Sequence, residues 1–246
     1  MFLVMDISNS YTKYAVAGTR TLGRVGRMPT ADINAAWLRA LRKRYPRRKL
    51  YLSSVVPQKM RLVQNVFRAD CWALRGDKDL GFPVRYPRKK QIGADRLANA
   101  AAARQLCGWP VVVVDFGTAV TFDVVDKTGA YCGGVIAPGL NAMTDYLHEK
   151  TALLPRIRVV APRRAIGKST REAMLTGAVI GYRGLVREII AEIKKEMRLR
   201  GRLKVVATGG QARLVARGLS LIHKVNPLLT LEGVRIIALY QRVKNG

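Results

Sequence analysis

Short apolar runs along the chain fall into two blocks that open alike. Phe2 to Met5 is apolar and ends on Asp6, a polar turn spans Ile7 to Ser10, and a second strand-like run goes from Thr12 to Ala17. After the break at Gly108-Trp109-Pro110 the order recurs: Val111 to Val114 ends on Asp115, a glycine-containing turn follows, and Val120 to Val125 returns. Apolar runs of this length bounded by turn residues predict strands. In the first block, Leu50 to Val56 reads as a buried strand closing on Pro57, and Gly81 to Arg88 as an extended piece interrupted by prolines. Helices are predicted where Ile33, Trp37, Leu38 and Leu41 share a face behind a Thr30 or Asp32 cap, over Gln58 to Phe67, and over the alanine-rich Ala94 to Leu106.

In the second block, Lys127-Thr128-Gly129 is a hairpin turn leading into a strand from Tyr131 to Ile136. A helix through Tyr146 and Leu147 follows Pro138-Gly139. Another starts near Ser169, and the stripe Leu185, Ile189, Ile193 and Met197 marks a further helix, as core or as a dimer face. Leu203 to Ala207 reads as a buried strand, Thr208-Gly209-Gly210 as a turn and Gln211 to Arg217 as a helix, with Asn226-Pro227 opening the last one. The repeated strand, Asp, tight turn and strand predict two related α/β domains, 1–108 and 109–246, with ligands in the cleft between them.

Composition narrows the function classes. A hydrophobic fraction of 49% is ordinary for a folded chain. The first apolar run is too short for a signal peptide, and no stretch approaches the ~20 apolar residues that span a bilayer. Cys71, Cys107 and Cys132 lack CxxC spacing, so they read as free thiols of a reducing cytoplasm. Forty-four Lys and Arg against 16 Asp and Glu give a net charge of +28. That charge attracts polyanions, but it is spread along the chain beside only 7% aromatics, which disfavours a dedicated nucleic-acid site. His148 and His223 are isolated and make no metal pair, and Pro162 stands where a Walker A loop ending at Gly167-Lys168-Ser169 would need its first glycine.

Phosphoryl transfer needs backbone donors near phosphate oxygens, a carboxylate for a metal ion, and a cation for the moving charge. Asp6-Ile7-Ser8-Asn9-Ser10 offers a carboxylate at a strand end and small polar side chains in a turn, with Lys13 on the return strand. Asp115-Phe116-Gly117-Thr118-Ala119-Val120-Thr121 repeats that logic. Singly, each is an ordinary hairpin turn; as a pair they point to an ATP-dependent kinase.

The chain resembles the acetate and sugar kinase, chaperone and actin superfamily, and within it type III pantothenate kinase. The motifs are DISNSYTK at 6–13, SSVVP at 53–57, GADRLANAAAA at 93–103, VVDFGTAVTFDVV at 113–125 and GGVIAPGL at 133–140. They continue with TALLP at 151–155, IGKSTREAMLTG at 166–177, ATGG at 207–210 and PLLTLEGV at 227–234, spanning nearly the whole chain. The resemblance implies an α/β fold of two ribonuclease-H-like (actin-like ATPase) domains with a central interdomain cleft. It implies a cytoplasmic homodimer that transfers the γ-phosphoryl group of ATP to pantothenate, opening coenzyme A biosynthesis.

By the same resemblance Asp95 is the catalytic base, kept ionised by Arg96, while Tyr86, Gly93, Ala94, Asp95 and Arg96 hold pantothenate. Thr170 reaches the substrate of the neighbouring subunit. Asp6, Ile7, Ser8, Asn9, Ser10, Tyr11, Thr12, Lys13 and Thr118 hold ATP, with Asp6 nearest the magnesium, and Gly209 and Gly210 let the backbone approach adenosine. Asp115 matches the ligand of a monovalent cation, potassium or ammonium. One position departs from the family: Ser8 stands where glycine is usual, and a left-handed backbone there would strain a serine by about 1 kcal/mol. Two other readings remain open: a transcription accessory factor of the Bvg type, which the +28 charge would suit, and a superfamily kinase acting on another small hydroxyl substrate.

Overall fold

The computed structural model describes residues 1–244. Its chain divides into two compact units. Unit 1 comprises Met1–Trp109, Lys127–Gly133 and the chain from Leu228 on, and unit 2 comprises Pro110–Asp126 and Gly134–Pro227.

Unit 1 is built on β1 (Phe2–Ile7), β2 (Tyr11–Ala17), β3 (Gly26–Pro29), β4 (Leu50–Ser54) and β5 (Cys71–Ala73), in the spatial order β3-β2-β1-β4-β5. β1 runs antiparallel to β2 and parallel to β4, so the hairpin lies on one side of the central strand and the crossovers on the other. All six residues of β1 are buried, as a strand covered on both faces must be. Alternation sends Leu3, Met5 and Ile7 to one face, where they pack with Leu38 and Leu41 of α1 (Ala35–Arg44) and Val63 and Phe67 of α2 (Pro57–Phe67). It therefore sends Phe2, Val4 and Asp6 to the opposite face, the side of α3 (Ala94–Cys107) and α7 (Leu229–Lys244).

Unit 2 repeats the plan with β6 (Val111–Phe116), β7 (Ala119–Val125), β8 (Tyr131–Pro138), β9 (Lys204–Thr208) and β10 (Lys224–Val225). Its order, β8-β7-β6-β9-β10, is that of unit 1 strand for strand. β6 is again antiparallel to its hairpin partner and parallel to the crossover strand β9. The core on one face joins Val112, Val114 and Phe116 to Tyr182, Val186 and Ile190 of α5 (Thr170–Glu196) and Val215 of α6 (Ala212–Ala216), while α4 (Leu140–Lys150) adds Leu140.

Several elements differ from the sequence expectation. α1 is capped by Asn34, whose side chain accepts from Trp37 N at 2.9 Å, while Thr30 and Asp32 lie in a preceding 3-10 turn. The two helices expected after Ser169 are one 27-residue helix, with no proline to interrupt its hydrogen-bond ladder. The stripe Leu185, Ile189, Ile193 and Met197 packs on the unit 2 core, which settles it as core. β3, β5 and β10 are strands that apolar patterning did not signal.

The units also differ from a division at 108–109. The chain from Leu228 on belongs to unit 1, where a side chain on Gly233 of α7 would run into the Ala98 backbone of α3. That close approach buries Ala98, Ala101 and Ala102, and Thr230 donates to Asn99 Oδ1 at 2.9 Å within it. Asp79 anchors the far end of α7, accepting from Tyr240 Oη at 2.7 Å and Lys244 Nζ at 2.6 Å. Segment 127–133 joins the same unit through Tyr131, which bonds Pro83 O and Arg85 N at 2.9 and 2.8 Å. Among the described residues no helix is long and apolar enough to cross a membrane.

Candidate active site

Asp6 sits at the centre of unit 1. It pairs in register with Lys13 across the hairpin and with Ser53 on β4. Its Oδ1 accepts from Ser53 Oγ at 3.0 Å and its Oδ2 from Ser8 Oγ at 3.1 Å. Only 4% of Asp6 is exposed. Burial raises its pKa to about 7, helped by the charge of Asp95 and opposed by Ser53, Ser8 and Lys13.

Ser8 does not take the left-handed backbone that would have strained it. The described non-glycine residues with a left-handed backbone are Arg47, Arg68 and Arg198. The turn closes through Ser8 N donating to Tyr11 O at 3.2 Å, in a geometry that serine adopts freely. The extra hydroxyl becomes a second donor to Asp6. Asn9 and Ser10 are exposed at the tip, and Tyr11 stacks under Arg27 with 3.6 Å from guanidinium carbon to ring centroid.

Asp95 lies in the first turn of α3 behind Gly93. A Cβ on Gly93 would sit 2.6 Å from Asp95 Oδ1, so glycine there gives the carboxylate its room. Oδ1 accepts from Arg96 N at 2.8 Å. Arg96 acts on Asp95 in the expected direction, favouring the ionised form, though it is not the largest influence. Burial is the largest influence and raises the Asp95 pKa; the Arg96 amide and charge only oppose it. The chain thus brings the half-buried Asp95 close enough for its charge to act on the buried Asp6 on one face of the unit 1 sheet.

Tyr86 and Arg96 meet at a residue that sequence reasoning left without a role. The Tyr86 ring lies 6.4 Å from Tyr131, and the Arg96 guanidinium lies 6.0 Å over the same Tyr131 ring. Tyr131 is fully buried, and its approach to the 83–85 segment is a long-range pairing that no local pattern announces. Ser53 was likewise inside a quoted motif with no role.

In unit 2, Asp115 pairs with Thr121 across the hairpin and with Thr208 on β9, the counterpart of Asp6 with Lys13 and Ser53. Gly209 has φ +92°, and an added Cβ would lie 2.5 Å from both Asp115 Oδ1 and Phe116 O. Gly210 is exposed beside it. Gly117 N donates to Ala119 O at 3.1 Å, and Gly139 N donates to Thr118 O at 3.1 Å. A side chain on Gly139 would run into the Gly117 and Thr118 carbonyls, so the β8–α4 junction braces this turn, a role for Gly139 that sequence reasoning missed. Thr118 is exposed at the tip, and Thr170 is exposed in the first turn of α5, whose cap is Ser169 accepting from Glu172 N at 3.2 Å.

The oxygen donors suit hard cations. Asp6 with two hydroxyls beside it fits magnesium that is mostly coordinated by phosphate and water. Asp115 with the Phe116 carbonyl alongside fits a monovalent ion. Among the described residues no group of three or more His, Cys, Asp or Glu could hold a metal, so neither site is an all-protein cage. His223 Nδ1 accepts from Val205 N at 2.9 Å, and the residue serves structure.

Comparison with known proteins matches residues 2–192 to the family model of type III pantothenate kinase. A curated relative, type III pantothenate kinase of Methylacidiphilum infernorum (isolate V4), is 46% identical over 96% of this chain and 87% of its own. Among solved structures, a Campylobacter jejuni protein described as a Baf family transcriptional activator superposes with TM-score 0.67 at 19% identity, covering 98% of this chain and all of that one (100%). MreB 5 of Spiroplasma citri bound to AMPPNP gives TM-score 0.53 at 11% identity, covering 100% of this chain and 98% of that one. At such identities the two structural likenesses concern the fold, which is the actin-like ATPase fold.

Proposed function

From the premise that the chain belongs to the type III pantothenate kinase family, we propose how its residues phosphorylate pantothenate at the expense of ATP, the step that opens coenzyme A biosynthesis. The observation that carries the reading is Asp95: a half-buried carboxyl, given space by Gly93, on the same sheet face as Asp6.

Asp95 receives the proton of the pantothenate hydroxyl. Its raised pKa makes it a better acceptor than an ordinary carboxylate, and in a loose transition state the proton moves late. Gly93, Ala94, Arg96 and Tyr86 orient the substrate. The Arg96–Tyr131–Tyr86 group supports that role by placing a cation over the Tyr131 ring, against which Tyr86 also packs, for a small acid. Asp6, the turn residues Ser8 to Tyr11 and Lys13 hold the phosphates of ATP, with Asp6 carrying magnesium, while Ile7 and Thr12, fully buried, shape the turn from within. Bound magnesium neutralises charge that builds on the transferring phosphoryl group. Thr118, Gly209 and Gly210 complete the nucleotide contacts, and Asp115 holds potassium or ammonium.

The active protein is a homodimer, with Thr170 directed to the neighbouring subunit's substrate. Support comes from α5, where Gly177, Ile180, Gly181 and Gly184 share a helical face that is open to a close partner. A cytoplasmic location fits the three free cysteines.

A coupled assay of ADP release tests the assignment. Wild type should turn over only with pantothenate and faster with potassium, and Asp95→Asn should lose roughly 10²- to 10⁴-fold in kcat while still binding ATP. Equal turnover in the two proteins would remove Asp95 from its role.

A further inference from the structure

The first turn is held from behind by a residue outside every motif above. Thr30, 3% exposed, occupies the 3-10 turn directly after β3. Its Oγ1 donates to Ser8 O at 2.7 Å, its backbone N donates to Ser10 O at 3.0 Å, and its Oγ1 lies 3.0 Å from Thr12 Oγ1. A hydroxyl has one proton, and that of Thr30 is committed to the Ser8 carbonyl. Thr12, fully buried, must therefore be the donor to Thr30. The result is a directed chain, Thr12 to Thr30 to Ser8 O, in a dry setting where each hydrogen bond strengthens the next.

That chain sets the orientation of one peptide. In a trans peptide the carbonyl and the following N–H point to opposite sides. With the Ser8 carbonyl drawn inward to Thr30, the N–H of the exposed Asn9 points outward. An outward N–H in a fixed turn is a preformed donor for a phosphate oxygen and costs no reordering on binding.

We propose that Thr30 is a positioning residue for nucleotide binding, which aims the Asn9 N–H at a phosphate of ATP by holding the Ser8 carbonyl. The inference rests on the reading that the first turn binds ATP, and the experiment separates the two. Thr30→Val keeps shape and removes the donor. It should weaken Mg–ATP binding by calorimetry, and raise KM for ATP, about tenfold, the cost of one buried hydrogen bond. The KM for pantothenate and kcat at saturating ATP should stay within about twofold of wild type. Amides of residues 8–12 should exchange faster in hydrogen–deuterium measurements, and Thr30→Ser should restore both affinity and protection. Thr30→Ala gives the same comparison if the valine variant does not fold. Lys13→Ala tests the underlying reading. If it weakens ATP binding while Thr30→Val and Thr30→Ala leave it unchanged, the role of Thr30 is overturned. If Lys13→Ala also leaves ATP affinity unchanged, the assignment of the turn to ATP falls, and with it the inference.

Discussion

Two carboxyls on one buried sheet face give unit 1 an intrinsic pH dependence. The Asp6 pKa is raised to about 7 in the folded chain from the ordinary carboxylate value of 3.8. The folded state therefore holds a proton that the unfolded state has lost, and folding is favoured most below about pH 4 and progressively less as pH rises through about 7. Asp6→Asn, neutral at every pH, should raise the Tm of the nucleotide-free protein at pH 8 and give little gain near pH 4, as thermal melts across pH would show. The same substitution should weaken Mg–ATP binding, a trade between stability and function expected where a charge is buried for a ligand. Asp95, also raised, should place the acidic limb of the kcat/KM profile above the range of an ordinary carboxylate. Asp6 and Asp95 were identifiable in sequence as residues. The influence of Asp95 on Asp6 was not, because they lie far apart in the chain and meet only on the folded sheet.

At the scale of elements, α7 depends on how closely it can approach α3. Gly233 lies against the Ala98 backbone with no room for a methyl group. Gly233→Ala would improve intrinsic helix propensity on an isolated helix by about 1 kcal/mol. Here overpacking should win, and chemical denaturation should show a net loss of about 1–3 kcal/mol. The strands and helices with strong apolar periodicity, such as β1, β6 and α3, were legible because their burial is written in their own residues. β3, β5 and β10 were not: Gly26–Pro29 has a single large apolar residue, Met28, between a glycine and a proline, and it becomes a strand through the register Tyr11↔Pro29 to Tyr14↔Gly26 with β2. The cap of α1 was misplaced for a related reason, since Thr30 is engaged by the first turn and leaves Asn34 to cap the helix.

At the scale of the whole molecule, the proposed dimer offers the sharpest test. Ile180, 41% exposed among Gly177, Gly181 and Gly184 on α5, makes the site for a disruptive charge. Ile180→Glu should convert a dimer to a monomer in sedimentation velocity and lower pantothenate turnover, while leaving ATP affinity unchanged if Thr170 serves the neighbouring subunit. The +28 charge acts differently, as a diffuse field. It gives attraction to polyanions that fades with salt.

The sequence by itself determined the two-block plan, the strand–Asp–turn–strand repeat and the family, because these depend on local period and on motifs read in order. Tertiary structure alone decided that Asp6 is clamped between Ser53 and Ser8. It also decided that Tyr131 joins Tyr86 to Arg96, that α7 returns to unit 1, and that Thr30 braces the first turn. Each is a contact between residues distant along the chain. Such contacts arise from burial and hydrogen-bond satisfaction in the folded state, which local periodicity does not encode.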